Sequence, residues 1–262
     1  MTLGVRRIPA WAQGLIGLCV LAGILELVPR VGIVSPRYLP PFSTMMRALY
    51  DEAGAGRFWS ALADTVESWF LGLAIAMVLG VVLGLVIGSI PILHTLTTST
   101  VEFLRPIPSV ALIPLAVLLF GTRLQSALLL IVYASFWQVL IQVLYGVRDV
   151  DPVVRETARS YRFGPGSMLR HVIWPTALPY IITGLRLAAT VALVLAITAE
   201  LVIGNPGLGK EIAVAQSSGA FPAMYALVIV TGVLGVLVNV LARMLEHRVL
   251  AWHPSQRAEV IS

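Results

Sequence analysis

The sequence has little charge and almost no cysteine. Only 12% of its 262 residues are Asp, Glu, Lys or Arg, about half of the roughly 25% that is usual in soluble domains. Together with 58% hydrophobic residues and a mean hydropathy of +0.91, this excludes an ordinary soluble fold. The single cysteine, Cys19, excludes a disulfide framework. The charged residues, whose net charge is +5, lie between the apolar runs. The basic excess therefore indicates membrane topology rather than nucleic-acid binding.

The sequence also lacks the groups that catalysis or metal binding requires. No paired carboxylates and no Ser/His pair lie within the apolar runs. The histidines show no metal-ligand spacing; they are His94, His171, His247 and His253. We therefore expect no enzymatic activity, no cofactor and no metal. The segment Gly204–Lys210 resembles a phosphate-binding loop, but Glu211 stands where Mg²⁺ requires Ser or Thr, which favours a turn between spans.

Six long apolar stretches predict an all-α integral membrane protein with about six transmembrane helices in a single domain, residues 1–262. The predicted spans are 11–28, 69–90, 107–121, 124–146, 181–203 and 213–242. Pro106 directly precedes the third span, which contains Pro108 and Pro114, so we expect this region to bend. The first follows Arg6 and Arg7, and its length favours a retained span over a signal peptide.

The basic residues predict the orientation in the membrane. Ten of the 18 fall on the side of the two termini and six on the opposite side, which places both termini in the cytoplasm. The ten are Arg6, Arg7, Arg148, Arg155, Arg159, Arg162, Arg170, Arg243, Arg248 and Arg257. The expected location is therefore the cytoplasmic (inner) membrane, with several membrane passes.

The second span carries a small residue at every fourth position. The row consists of Gly72, Ala76, Gly80, Gly84 and Gly88. Such a row forms a groove in which another helix approaches closely, so we predict that this span packs inside a helix bundle.

The hydrophilic stretch 148–179 is more than a simple connection between two spans. Asp151 is a suitable N-cap and Pro152 a suitable first residue for a short helix. Phe163–Gly166 should end that helix, and a second short helix should run from Met168 to Pro175. The resulting basic, amphipathic helix pair needs a partner, which is either the lipid surface or another protein.

This stretch resembles the EAA loop of the permease subunits of binding-protein-dependent ABC importers. That loop carries Glu-Ala-Ala, a glycine six residues after the Glu, and a hydrophobic stretch ending in Leu-Pro. Here Glu156-Thr157-Ala158 matches the first part and Leu178-Pro179 the last. The segments 104–121 (LRPIPSVALIPLAVLLFG) and 204–209 (GNPGLG) are similar to the nitrate, taurine and alkanesulfonate branch of these permeases.

The resemblance implies the membrane subunit of an ATP-driven importer, which forms the translocation pathway. The implied partners are a second permease copy, two cytoplasmic ATPase subunits that hydrolyse ATP, and an extracytoplasmic solute-binding protein. A small anion such as a sulfonate, taurine or nitrate is the implied substrate, and a vitamin precursor is the alternative. The residues implied in coupling to the ATPase are Arg155, Glu156, Thr157, Ala158, Arg159, Arg162 and Gly164.

Two of these coupling residues raise questions that the sequence leaves open. Arg162 stands where the family has a glycine that ends the first helix in a left-handed conformation. We expect Gly164 and Gly166 to take over that bend. Glu156 either contacts the partner or pairs locally with Arg159, three positions further on.

Three polar residues within the spans are candidates for the pathway or its gate. Glu200 lies near the end of the fifth span; it could instead bond the amides of the following turn. Gln138 and Gln142 share one face of the fourth span and could line a path or bond between helices. Arg105 and Arg186, at span ends, are expected to extend towards the membrane interface, and binding of an anion by either is the alternative. An ion-coupled transporter or a channel is the alternative function, although the spans carry few ionisable residues.

Overall fold

The structure, a computed structural model, describes residues 10–251, so Arg6, Arg7, His253 and Arg257 lie outside the described part. The side chains of Ala10 and Trp11 are also left out. Within these limits the chain is helical and contains no strand. Its α-helices are α1 Ala10–Arg30, α2 Phe42–Ala53, α3 Gly56–Ser89, α4 Pro91–Leu104, α5 Ile113–Phe120, α6 Leu124–Arg148, α7 Pro152–Ser160, α8 Pro165–Met168, α9 Trp174–Ile203, α10 Leu208–Ser217 and α11 Phe221–Val249.

Helix lengths confirm the predicted multi-pass membrane fold. Five helical stretches are long and apolar enough to cross a membrane, and a bent pair brings the number to six. Several predicted bounds were wrong. The second span begins at Gly56 rather than at residue 69, because Gly56–Glu67 continues the same helix despite its polar residues. The last span is Phe221–Val249, since a turn with Gly219 at φ 73° separates it from α10.

The third span is broken, as its prolines predict, but it is longer than expected. It consists of α4 and of Ser109–Phe120, which meet at an angle of 82°. The predicted segment 107–121 is therefore only the second half. Pro106 and Pro108 cannot donate backbone hydrogen bonds, so the helix ends at Leu104 and restarts as a 3₁₀ turn at Ser109–Leu112.

The chain divides into two compact units. The described part of the first comprises residues 10–60 and 211–230. In it the Glu26 carboxylate links α1 to the start of α2. It accepts hydrogen bonds from the Ser43 backbone N–H at 2.8 Å and the Ser43 hydroxyl at 2.9 Å, and it pairs with Arg30. These contacts anchor α2, an amphipathic helix that the sequence analysis did not predict.

The described part of the second unit comprises residues 61–210 and 231–251. Its core forms where α6 and α9 pack along each other. Small, fully buried alanines of α9, among them Ala188 and Ala192, lie in the same apolar cluster as Val139 and Val143 of α6. Small side chains permit this close helix approach.

The row of small residues on α3 packs against α6, which confirms the predicted groove. A Cβ atom placed on Gly80 would lie 2.7 Å from the Val139 Cβ, and one on Gly84 would lie 2.7 Å from the Val143 Cβ. Because real Cβ atoms do not approach so closely, glycine is required at both positions. The valines of α6 therefore occupy the space that the absent side chains leave open.

Candidate functional site

Residues 149–164 connect α6 to the continuous helical stretch Pro165–Ile203, which includes α8 and α9. This segment, the α6–α9 loop, contains the predicted first short helix. This helix, α7, runs from Pro152 to Ser160. The Asp151 carboxylate accepts a hydrogen bond of 2.7 Å from the Val153 backbone N–H, so Asp151 is the N-cap as predicted. Pro152 takes the first helical position, where no backbone donor is needed.

The inner side of α7 contacts the neighbouring helices through a hydrogen bond and through apolar packing. Ala158 is buried and belongs to the same core cluster as Val172 and Ile173. The Arg155 guanidinium donates a hydrogen bond of 3.2 Å to the Val147 carbonyl, one of the last carbonyls of α6. Arginine at this place satisfies an acceptor that the helix end leaves free. Arg155 and Ala158 thus connect α7 to the rest of the second unit.

The outer side of α7 is exposed and has both apolar and charged groups. Val153 is 68% exposed and Tyr161 is 77% exposed. Thr157 and Arg159 are also exposed. The exposed carboxylate of Glu156 has neither a hydrogen bond nor an ion pair among the described residues. The local pair with Arg159, which the sequence left open, is therefore not formed.

Arg162 itself adopts the left-handed conformation that the family glycine would take. Its φ is 58°, and it is the only non-glycine with positive φ in the range 10–251. The turn is closed by hydrogen bonds of the Arg162 N–H to the Arg159 carbonyl at 2.8 Å and of the Phe163 N–H to the Ala158 carbonyl at 3.0 Å. This pair of bonds is the Schellman motif.

The expectation that Gly164 and Gly166 take over the bend is wrong. Gly164 has φ −69° and Gly166 has no positive φ, so both adopt conformations open to any residue. The two Schellman bonds decide the bend at Arg162, because they close only if that residue is left-handed. A side chain makes this conformation costly by about 1 kcal/mol. Non-glycine residues held in such a conformation are concentrated at functional sites.

The predicted second short helix is not separate from the fifth span. From Pro165 the chain is helical as far as Ile203, through a π-helical turn at Leu169–Ile173. In this turn the Trp174 N–H donates a hydrogen bond to the carbonyl of Leu169, five residues earlier in the chain. The wider turn lies directly before Pro175, which has no N–H to donate. Helix α8 is therefore continuous with α9.

Glu200 is fully buried near the end of α9 and joins three segments of the chain. Its carboxylate accepts hydrogen bonds from the Thr65 hydroxyl at 2.9 Å, the Ser68 hydroxyl at 3.4 Å and the Gly209 backbone N–H at 3.0 Å. Thr65 in turn accepts from the Leu208 N–H at 2.9 Å. The side chains of Thr65 and Glu200 thus accept hydrogen bonds from the first two backbone N–H groups of α10, which have no partner within that helix. This is the turn-bonding alternative that the sequence had left open for Glu200.

The turn Gly204–Gly209 is shaped to receive that carboxylate. Gly207 has φ 147°, and a Cβ at Gly207 or Gly209 would collide with Glu200. Asn205 is 3% exposed and donates a hydrogen bond of 2.6 Å to the Arg123 carbonyl. The space that a phosphate would need at this helix start already holds a carboxylate. The partial match to a phosphate-binding loop is accordingly a structural turn.

The two glutamines of α6 are half-buried. Among the described residues, no hydrogen bond from Gln138 or Gln142 to another helix is found, so the interhelical bond considered from the sequence does not form. Gln142 lies beside Gly184 of α9, whose Cβ position would be 3.2 Å from the Gln142 Cβ.

The sequence analysis missed Thr65 and Ser68 of the Glu200 network, and also Asn205 of the neighbouring turn. Thr65 and Ser68 lie three positions apart on one face of α3, and both are buried polar residues. That spacing was a usable signal, because buried hydroxyls in a membrane helix require a partner. The residue Asn205 carried no comparable signal, since asparagine is common in exposed turns.

Comparison with known proteins identifies the class. Residues 76–251 match the family described as "Binding-protein-dependent transport system inner membrane component". The chain belongs to this family of ABC-importer permeases, as the loop resemblance predicts. The assignment favours an importer subunit over an ion-coupled transporter or a channel.

Individual relatives cover nearly the whole chain. The taurine transport system permease protein TauC of Escherichia coli is 32% identical over 244 residues, covering 90% of this chain and 88% of that protein. The putative aliphatic sulfonates transport permease protein SsuC of Bacillus subtilis is 29% identical over 250 residues, covering 95% and 91%. The bicarbonate transport system permease protein CmpB of Synechocystis is 28% identical over 222 residues, covering 83% and 78%. The chain is thus a permease of the taurine and sulfonate branch.

Solved structures share the fold. An amino acid ABC transporter with histidines matches with a TM-score of 0.61 and 23% identity, over 73% of this chain and 94% of that chain. An inward-facing MetNI methionine ABC transporter matches with a TM-score of 0.58 and 21% identity, over 78% and 97%.

Proposed function

We propose that this chain couples to a separate cytoplasmic ATPase through the α6–α9 loop and carries solute across the inner membrane. Two copies would form one pathway, served by two ATPase subunits and an external solute-binding protein. Both termini and the α6–α9 loop would face the cytoplasm. Residues 1–262 would act as one permease domain, and ATP hydrolysis would take place in the partner. The observation that carries this proposal is the exposed outer face of α7, whose Glu156 carboxylate has no partner within residues 10–251.

The attachments of the α6–α9 loop explain how a movement of the ATPase could reach the membrane helices. The hydrogen bond of Arg155 to the Val147 carbonyl and the buried Ala158 join α7 to α6 and to the core. At its other end the loop continues into α8 and, without a break in the helix, into α9. Since α6 and α9 pack along each other, a displaced α7 would move both as one body. Rigid-body movement between two states is the usual basis of such switching.

For the substrate we propose a small solute with an anionic group. The three relatives compared above are named for taurine, aliphatic sulfonates and bicarbonate, and each of these molecules has an acidic oxygen group. Gln138 and Gln142 of α6, which form no bond to another helix within residues 10–251, would add neutral polar groups to the pathway.

Glu156→Ala should reduce ATPase binding and transport together while leaving the permease folded. In a desolvated contact, loss of one charged partner costs about 2 to 5 kcal/mol, whereas an exposed charge without a partner contributes almost nothing. The measurement is co-purification of the cognate ATPase with the permease, together with uptake in proteoliposomes.

Arg162→Gly is the matched control on the same loop. Glycine adopts a φ of 58° without strain, so this change should stabilise the turn by about 1 kcal/mol or less and keep full ATPase binding. Unchanged binding and uptake in Glu156→Ala would contradict the coupling proposal and leave α7 as a helix that rests on lipid.

A further inference from the structure

A groove lined by apolar residues and by several polar and charged residues runs along α4 and α6, on a face that the proposed coupling does not use. Its cavity volume is about 500 Å³. The polar residues of its lining recur every three or four positions along each helix, which places them on one face of each. They include His94, Thr98, Glu102 and Arg105 of the α4 side and Tyr145 and Arg148 of α6.

The deep end of the groove lies at the break of the third span, within the membrane thickness. The Tyr133 hydroxyl donates a hydrogen bond of 2.6 Å to the carbonyl of Leu104, the last residue of α4. Tyr133 is nine residues into α6, so at 1.5 Å per residue the break is about 14 Å from that end of the helix. A hydrocarbon core of about 30 Å therefore includes it. Arg105 directly follows the break.

The other end of the groove opens beside the start of the α6–α9 loop. There the Arg148 guanidinium donates a hydrogen bond of 3.1 Å to Nδ1 of His94. Because a guanidinium only donates, the imidazole nitrogen is the acceptor of this bond. The groove thus connects the mid-membrane break to the membrane side on which the α6–α9 loop lies.

The charges of the groove are unequal and, at its deep end, unpaired. Two arginines face a single carboxylate, that of Glu102. Neither Arg105 nor Glu102 forms an ion pair among the described residues, although three positions separate them. Ionisable side chains at this depth are costly against lipid and are typical of solute paths. Broken helices at mid-membrane are likewise typical of solute sites in transporters.

We propose that the α4–α6 groove is a transient binding site for the transported solute, with Arg105 binding its anionic group. This inference rests on the proposed import function and names the residue that would bind the solute within the permease. Arg105 would bind the anion at the break, and Arg148 would attract it towards the side of the α6–α9 loop. The excess of one positive charge favours a singly charged anion, such as a sulfonate, over a cation.

The test compares Arg105→Gln and Arg105→Lys with Arg47→Gln, which removes an arginine from the exposed surface of α2. Each complex of permease, ATPase and cognate binding protein is reconstituted in proteoliposomes. Uptake of radiolabelled taurine, ethanesulfonate and bicarbonate is measured beside ATP hydrolysis. Arg105→Gln should lower uptake about tenfold or more while hydrolysis stays within about twofold of wild type, because the lost bond is charge-assisted.

Arg105→Lys should recover a large part of the uptake, since it keeps the charge, and Arg47→Gln should transport like wild type. Three results would overturn the proposal. Uptake by Arg105→Gln within about twofold of wild type would show that the arginine binds no solute. Loss of uptake, hydrolysis and assembly together would assign Arg105 a structural role. If the wild type hydrolyses ATP but takes up none of the three solutes, the proposed anion site is contradicted, whereas the coupling proposal is not.

Discussion

Replacing Glu200 with alanine should lower the free energy of unfolding by about 3 kcal/mol, because it leaves the Gly209 N–H without an acceptor and opens a cavity. The Gly209 N–H has the Glu200 carboxylate as its acceptor, and the Thr65 hydroxyl bonds the same group. Without it, the turn Gly204–Gly209 should detach from α3 and α9. Denaturant unfolding of the purified permease in detergent measures the loss.

Glu200→Gln is the matched control, because it keeps the shape of the side chain and one carbonyl acceptor. It should cost about 1 kcal/mol, clearly less than alanine. If alanine and glutamine were both within about 0.5 kcal/mol of wild type, the network would contribute little to stability. A pathway role would then become the better explanation for the burial of Glu200.

A side chain on the glycine row of α3 should force α3 away from α6. We expect Gly80→Val and Gly84→Val each to cost about 2 to 3 kcal/mol, since the space beside each is filled by a valine of α6. The loss should be seen as reduced yield of folded permease and as a lower denaturant midpoint. Transport should fall in proportion to the folded fraction.

Gly232→Val in α11 is the control for this prediction. It too lies inside a long apolar helix, but a Cβ there meets nothing within 4 Å. Its folded yield should match wild type, and valine can even raise it slightly through its better helix propensity. Equal losses at Gly80 and Gly232 would mean that glycine serves backbone flexibility rather than close packing.

Local signals in the sequence predict much of this fold. Asp151 and Pro152 predict the start of α7, because an N-cap and a first-position proline act within one turn. The four-residue spacing from Gly72 to Gly88 predicts the α3 face that contacts α6. Three prolines predict the broken third span. In each case the cause and the effect lie within a few residues of each other.

The errors occurred where distant contacts or backbone hydrogen bonds decide the structure. Two Schellman bonds place the left-handed residue at Arg162, although Gly164 and Gly166 have the more suitable side chains. A π-helical turn lets α8 continue into α9 despite Pro175, so the second short helix does not end where the sequence predicts. The Glu200 network joins residues more than 130 positions apart, and no periodic pattern reveals such a pairing.

The contacts in the structure divide the candidate coupling residues into two groups. Arg155 and Ala158 face inward and fasten α7 to the membrane helices. Glu156 and Arg159 are exposed without a partner among the described residues. Sequence alone placed all four on one helix of about three turns. It did not separate them, because the direction of the inner face depends on how α7 packs against α6 and the start of α9.

The most direct test of ATP-driven transport by this permease is to measure which energy source its solute uptake requires. The permease is reconstituted with its ATPase and binding protein in proteoliposomes, and anion uptake is followed with ATP present or removed and with an ion gradient present or collapsed. We predict uptake that requires ATP, persists without the gradient, and is lost when Glu156→Ala prevents ATPase binding. Uptake that continues without ATP while the ion gradient is intact would contradict the account.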